Sequence, residues 1–177
     1  MARPRTIPDT TIHNAILRLI SAHGEKAVSF SSVARATGLA APTLVQRFGG
    51  LDGMMRAALE HWLAESEAQL AQAEVGAALN PKGAVALLKG LWGGDGLVDP
   101  GQILPLILRD PALRGRAAAL RARILALLAL RLGGGDKGRV RAAMAFAAWQ
   151  GQQLWAHAGG EAGDGGFRLR ALIRAIS

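Results

Sequence analysis

An all-α fold is predicted for this chain from three observations. Half of the residues are hydrophobic, β-branched runs are nearly absent, and proline is scarce outside junctions between apolar-periodic segments. The punctuation divides the chain into about nine helices. It also predicts three regions: a head over 1–50 with a basic arm at 1–8, a connecting helix within 51–80, and a helical domain over 81–177. The 177 residues suffice for one small and one medium domain.

The elements follow in order. Ile12, Ile16, Leu19 and Ile20 share one face of a first helix from about Pro8 to Ala22. Ser29 is placed to cap a second helix, whose apolar side holds Phe30, Val33 and Ala34. Ala34 is small enough for a neighbouring helix to approach closely. Gly38 suits the left-handed residue that ends this helix, with Leu39 as the buried plug of the turn. Ala41-Pro42 opens a third helix, because a first turn tolerates proline. Leu44 and Phe48, four apart, anchor it and leave Thr43, Gln46 and Arg47 facing outward. A fourth helix starts near Leu51 and runs to about Glu74, with Met55, Leu59, Trp62 and Leu63 on its apolar side.

Beyond the break at Asn80-Pro81, a helix is expected from Pro81 to Trp92, then a loop at Gly93–Gly96. A short helix from Pro100 to Arg109 is expected to be interrupted by Pro105. The next helix runs from Pro111 to Leu132 with a stripe of Leu113, Ala117, Leu120, Ile124, Leu127 and Leu128. Its flanks carry Arg114 with Arg121 and Arg116 with Arg123, whose stems are expected along the core with the charges in water. Gly133-Gly134-Gly135 stops it. A helix from about Lys137 to Ala158 is apolar nearly all round, the pattern of a helix covered on two sides. A glycine-rich loop at 159–166 precedes a last helix from Phe167 to Ile176.

Residues 29–48 have the order of residue types of a helix-turn-helix, which delivers its second helix to the DNA major groove. Glutamine pairs with adenine and arginine with guanine in that groove, which makes Gln46 and Arg47 candidate base readers beside Thr43. Ala41 and Pro42 begin the same helix and complete its candidate DNA-facing set. Arg35, Arg3 and Arg5 are candidates for phosphate contact. The charge supports a polyanion partner only in part. Residues 1–50 carry six Lys/Arg against two Asp/Glu, 51–80 carry one against five, and 81–177 carry fourteen against six, so the head is basic but the largest excess of positive charge lies in 81–177.

The segment from Thr11 to about Trp62 resembles the N-terminal DNA-binding domain of the tetracycline-repressor (TetR) family of bacterial regulators. The matching stretches are Ile12–Ile20, His23-Gly24, Val33–Leu39, Thr43–Phe48 and Leu51–Met55. The resemblance implies a ligand-responsive transcriptional regulator, more often a repressor, that binds a near-palindromic DNA operator as a homodimer. It further implies that the fourth helix links the head to an effector and dimerisation domain. The last two helices, about 137–158 and 167–176, would make the dimer. Trp92, Leu108, Met144, Trp149 and Gln153 are the candidate residues for a small-molecule effector, an apolar site with a few polar handles, and Phe146, Trp155 and His157 are further plausible pocket residues.

The chain departs from the family pattern on its outward side. Val45 stands where a tyrosine is usual, Leu51 where a lysine is usual, Ala40 where a polar cap is common, and Ala41 at an often basic position. Valine and leucine cannot hydrogen-bond phosphate, so a flatter salt dependence is expected, with Arg47 as a candidate compensator. These departures motivate an alternative: a dimeric ligand-binding or interaction protein of the same fold without specific DNA binding.

Other classes are excluded by the sequence or find no support in it. The absence of cysteine excludes disulfides, thiol catalysis and cysteine-ligated zinc. His13, His23, His61 and His157 show no metal spacing, and no nucleophile–base pattern is visible, so no cofactor, metal or catalytic residue is expected and the chain is read as no enzyme. No run is long enough to span a bilayer, and Arg3 and Arg5 precede no apolar signal segment, so a cytoplasmic protein is expected.

Overall fold

The structure, a computed structural model, describes residues 7–92, 98–156 and 168–176. The arm with Arg3 and Arg5, the loop at 93–96, His157, the loop at 159–166, Phe167 and the side chain of Trp155 lie outside the described residues. Among the described residues there are nine α-helices, one 3-10 turn and no strand. The helices are α1 (Asp9–His23), α2 (Phe30–Thr37), α3 (Ala41–Phe48), α4 (Leu51–Gly76), α5 (Pro81–Gly90), α6 (Pro100–Arg109), α7 (Pro111–Arg131), α8 (Gly135–Ala156) and α9 (Leu169–Ile176), with the 3-10 turn at Glu25–Ala27. The fold is therefore all-α, as the periodicity predicts.

The chain forms two compact units, Met1–Glu65 with Gly94–Leu113, and Ser66–Gly93 with Arg114–Ser177. They part at neither residue 50 nor residue 80. The first half of α4 and all of α6 belong with the head.

In the first unit, Ile12, Ile16, Leu17 and Ile20 of α1, Val33 of α2, Leu44 of α3 and Met54, Ala58 and Leu63 of α4 are buried in the core. Burying a side chain of this size contributes roughly 1.5–3 kcal/mol. The helix α6 lies against α1 and adds Ile103 and Ile107 to the core. The buried Asp99 fixes its start: its carboxylate accepts from the Gly101 N–H at 2.8 Å, and its own N–H donates to Ser21 Oγ at 2.8 Å. Ion pairs Arg109–Glu25 at 2.5 Å and Arg56–Asp110 at 3.0 Å hold the other end. The expected interruption at Pro105 does not occur, and α6 runs through it. The ring removes only the hydrogen bond back to Gly101, while the face of Ile103, Leu106 and Ile107 still buries.

In the second unit, Asn80 caps α5 by accepting from the Gly83 N–H at 3.0 Å. The whole predicted stripe of α7, from Leu113 to Leu128, is buried. Its flanking arginines keep to the surface, and two of them also pair with carboxylates of α4. Arg116 makes two 2.7 Å bonds to the Glu67 carboxylate, and Arg123 donates to Glu74 at 2.9 Å. Both pairs are seven residues apart on both helices, so one register serves the two. The Arg116 guanidinium holds the Glu67 carboxyl below its ordinary range. Arg131 is buried and donates to the carbonyls of Ala77 at 2.8 Å and Glu74 at 3.4 Å, capping the C-terminal end of α4.

Candidate nucleic-acid interface

The two helices of the motif are built by local chemistry. The Ser29 hydroxyl accepts from the Ser32 N–H at 3.1 Å and the Ser32 hydroxyl accepts from the Ser29 N–H at 2.9 Å, a reciprocal cap on α2. At the other end Gly38 takes φ 74° and its N–H bonds to the Ala34 carbonyl at 2.8 Å. That left-handed residue turns the chain, because any Cβ would strain it. Leu39 is only half-buried and is not the fully buried plug the sequence predicts. The next helix starts without a side-chain cap at Ala40, with Pro42 in its first turn, and ends at Gly49, φ 72°.

One side of α3 is anchored. Leu44 is wholly buried, and the ring of the half-buried Phe48 lies 5.8 Å from the ring of His13 on α1. Pro42, Val45 and Gln46, related by i, i+3 and i+4, form its exposed outer face, while Ala41 and Thr43 are half-buried. Arg35, in the last turn of α2, is exposed. Val45 is 44% exposed and Leu51, at the first turn of α4, is 39% exposed.

Arg47 is engaged within the head. Its Nη1 donates to the Ile7 carbonyl at 2.8 Å and to Asp9 Oδ1 at 3.0 Å, and its side chain is only 25% exposed. In this state the guanidinium ties α3 to the start of α1. Asp9 stands outside the motif, in the first turn of α1; that place is legible in the sequence, its reach to α3 is not.

Behind the motif, His13 sits between Phe48 and His61, with the two imidazole centroids 5.2 Å apart. Both His13 ring nitrogens are buried with no hydrogen-bond partner among the described residues. His61 Nε2 lies 3.3 Å from Asn14 Oδ1 and 3.8 Å from Glu65. Burial, and then the neighbouring His61, push the His13 pKa below 6.5, against smaller opposing effects of Asp9 and Glu60.

The candidate effector residues divide. In the second unit Trp92 and Trp149 stack at 5.0 Å, and Phe146 lies 5.9 Å from Trp149. The Trp92 indole N–H donates to Ser66 Oγ at 3.1 Å and its backbone N–H to Gln69 Oε1 at 3.1 Å. Trp92 takes φ 55°, a left-handed conformation uncommon for a bulky residue. Met144 is 53% exposed on α8, Gln153 is half-buried further along that helix, and Leu108 is an exposed residue of α6 in the first unit. Ser66 and Gln69 were missed. The signal available was a polar Ser66 in the helical register of the apolar Trp62, Leu63 and Leu70, with Gln69 three residues on. Among the described residues no group of three His, Cys, Asp or Glu side chains is arranged to hold a metal, and no helix is long and apolar enough to cross a membrane.

No protein-family model and no curated protein matches the sequence. Solved structures do match. A transcriptional regulator from Rhodococcus sp. Rha1 shares 18% identity, over 96% of this chain and 92% of its own, with a TM-score of 0.72. A TetR-like transcriptional regulator from Rhodococcus sp. RHA1 shares 19%, over 99% and 94%, with a TM-score of 0.70. The transcriptional regulator FadR from Bacillus subtilis, solved in complex with stearoyl-CoA, shares 16%, over 96% and 95%, with a TM-score of 0.64. The chain has the fold of the TetR-type transcriptional regulators along essentially its whole length.

Proposed function

We propose that this chain is a TetR-family transcriptional regulator that binds an operator as a homodimer and responds to a small molecule. The observation that carries the reading is the motif: a capped α2, a left-handed Gly38 and an α3 whose outer face is exposed above a buried Leu44. Thr43, Gln46 and Pro42 face the groove in this reading, with Ala41 at its edge and Arg35, Arg3 and Arg5 toward phosphates. Two heads of a dimer would reach half-sites about 34–36 Å apart.

Dimerisation is supported by α8. Val140, Met144, Ala147 and Leu154 are exposed and Gly151 half-buried, at successive spacings of four, three, four and three residues. Such a seam is what a partner helix covers, and the small residues at its centre let the backbones approach. With α9 it forms the proposed dimer surface. Effector binding is supported by the aromatic group around Trp92, with Ser66 and Gln69 as polar handles and Gln153 as a further candidate. A ligand acts on operator affinity only through different affinity for two conformations.

A second reading, a dimeric protein of this fold without specific DNA binding, is favoured by the withdrawal of Arg47 to Asp9 and by the apolar Val45 and Leu51. Titration onto its own promoter region and onto random DNA, at several salt concentrations, separates the two. A regulator prefers the promoter, and Gln46→Ala lowers that preference by about 1–3 kcal/mol while the protein stays a folded dimer. Equal affinity for both DNAs overturns operator recognition.

A further inference from the structure

The outer face of α3 has an unusual composition for a DNA-facing surface. Pro42, Val45, Gln46 and Arg47 are exposed, and of these Arg47 is engaged by Asp9 and the Ile7 carbonyl. Beside the engaged Arg47, the exposed residues Pro42, Val45 and Gln46 offer one hydrogen-bonding side chain, the Gln46 amide, and two apolar ones. Val45 leaves 44% of its surface in solvent while the adjacent Leu44 is wholly buried, so its isopropyl group points away from the core.

A G·C pair offers only donors and acceptors to the major groove, and an isopropyl group pressed on them removes water and replaces no bond. An A·T pair offers one apolar group there, the C5-methyl of thymine, beside the N6/N7 edge of adenine that a glutamine amide matches. The residue types at 45 and 46 fit those two groups side by side. Pro42, one turn back on the same face, adds rigid apolar surface and no donor.

We propose that Val45, backed by Pro42, reads the C5-methyl of a thymine in each half-site, next to the adenine edge taken by Gln46. The inference rests on the DNA-binding reading above and deepens it. The loss of a hydrogen-bonding side chain at position 45 is then a change of readout, from a backbone anchor to a base-specific apolar contact.

The test begins by selecting duplexes from a random-sequence pool with the full-length protein. Each thymine of the enriched duplex is then replaced by deoxyuridine, which keeps every hydrogen bond and removes only the methyl. Affinities are read by fluorescence anisotropy at fixed salt. One position per half-site is expected to lose about three- to fivefold on replacement, the effect of one methyl taken out of contact. Val45→Ala, at an exposed position, is expected to fold, to bind more weakly and to lose sensitivity to that replacement, while Val45→Thr keeps part of it. Uniform indifference to deoxyuridine, or unchanged sensitivity in Val45→Ala, overturns methyl reading but leaves DNA recognition standing. A pool that yields no enriched sequence overturns both. Placing 5-methylcytosine paired with guanine at the sensitive position should not restore affinity, because the adenine edge is gone; full restoration overturns the thymine assignment.

Discussion

At the scale of single residues, the side chains of the head are set by what they touch more than by their type. Arg47 has the chemistry to read guanine, yet Asp9 and the Ile7 carbonyl hold it. His13 has the chemistry to bind a metal or carry a proton, yet its nitrogens are buried beside Phe48 and His61 with no hydrogen-bond partner among the described residues. Its folded-state pKa lies below the unfolded 6.5, so the folded state favours the neutral ring. The resulting stability is fully present above 6.5 and is lost as pH falls toward the lower folded value. Thermal melts across that acidic range should show the midpoint dropping for the native chain, and His13→Gln should flatten the drop. An identical acid profile in both proteins refutes the assignment to His13.

Elements are fixed by backbone geometry at their ends. The start of α4 follows α3 so tightly that a Cβ on Gly53 would lie 2.2 Å from the Phe48 carbonyl oxygen. Backbone cannot yield as a flexible side chain would, so Gly53→Ala should destabilise the first unit by about 1–3 kcal/mol. Denaturant unfolding measures it, and a variant as stable as the native chain would show that α3 and α4 have room to separate. The charged contacts of α7 act at the same scale. Spacing alone placed Arg116 and Arg123 on one flank, but nothing in it said that Glu67 and Glu74 would stand opposite in the same register.

For the molecule as a whole, the proposed dimer rests on the α8 seam. Ala147→Glu would place a carboxylate at its centre, where burial without a partner is costly. Sedimentation should then report monomers at concentrations where the native chain is a dimer, with operator affinity falling because two half-sites are no longer bound together. A variant that remains dimeric would move the interface elsewhere. Here too the sequence had shown that α8 is apolar nearly all round. It could not show which side its own unit covers; Ala142, Ala145, Phe146 and Trp149 are the buried ones.

The legible part of this protein is the part decided within a few residues of chain. Ser29 as a cap, Gly38 as a left-handed stop, Pro42 in a first turn, the buried Leu44 and the stripe of α7 each express short-range sterics or a helical period, and those read directly from residue order. The withdrawal of Arg47 to Asp9, the placing of α6 against α1, and the gathering of Ser66, Gln69, Trp92 and Trp149 join residues far apart along the chain. Their geometry depends on how whole helices pack, which no local pattern specifies. The amino-acid sequence by itself determined a helix-turn-helix head on an all-α body; only the tertiary structure decided which of its outward side chains stand apart and which, like Arg47, are tied to another helix.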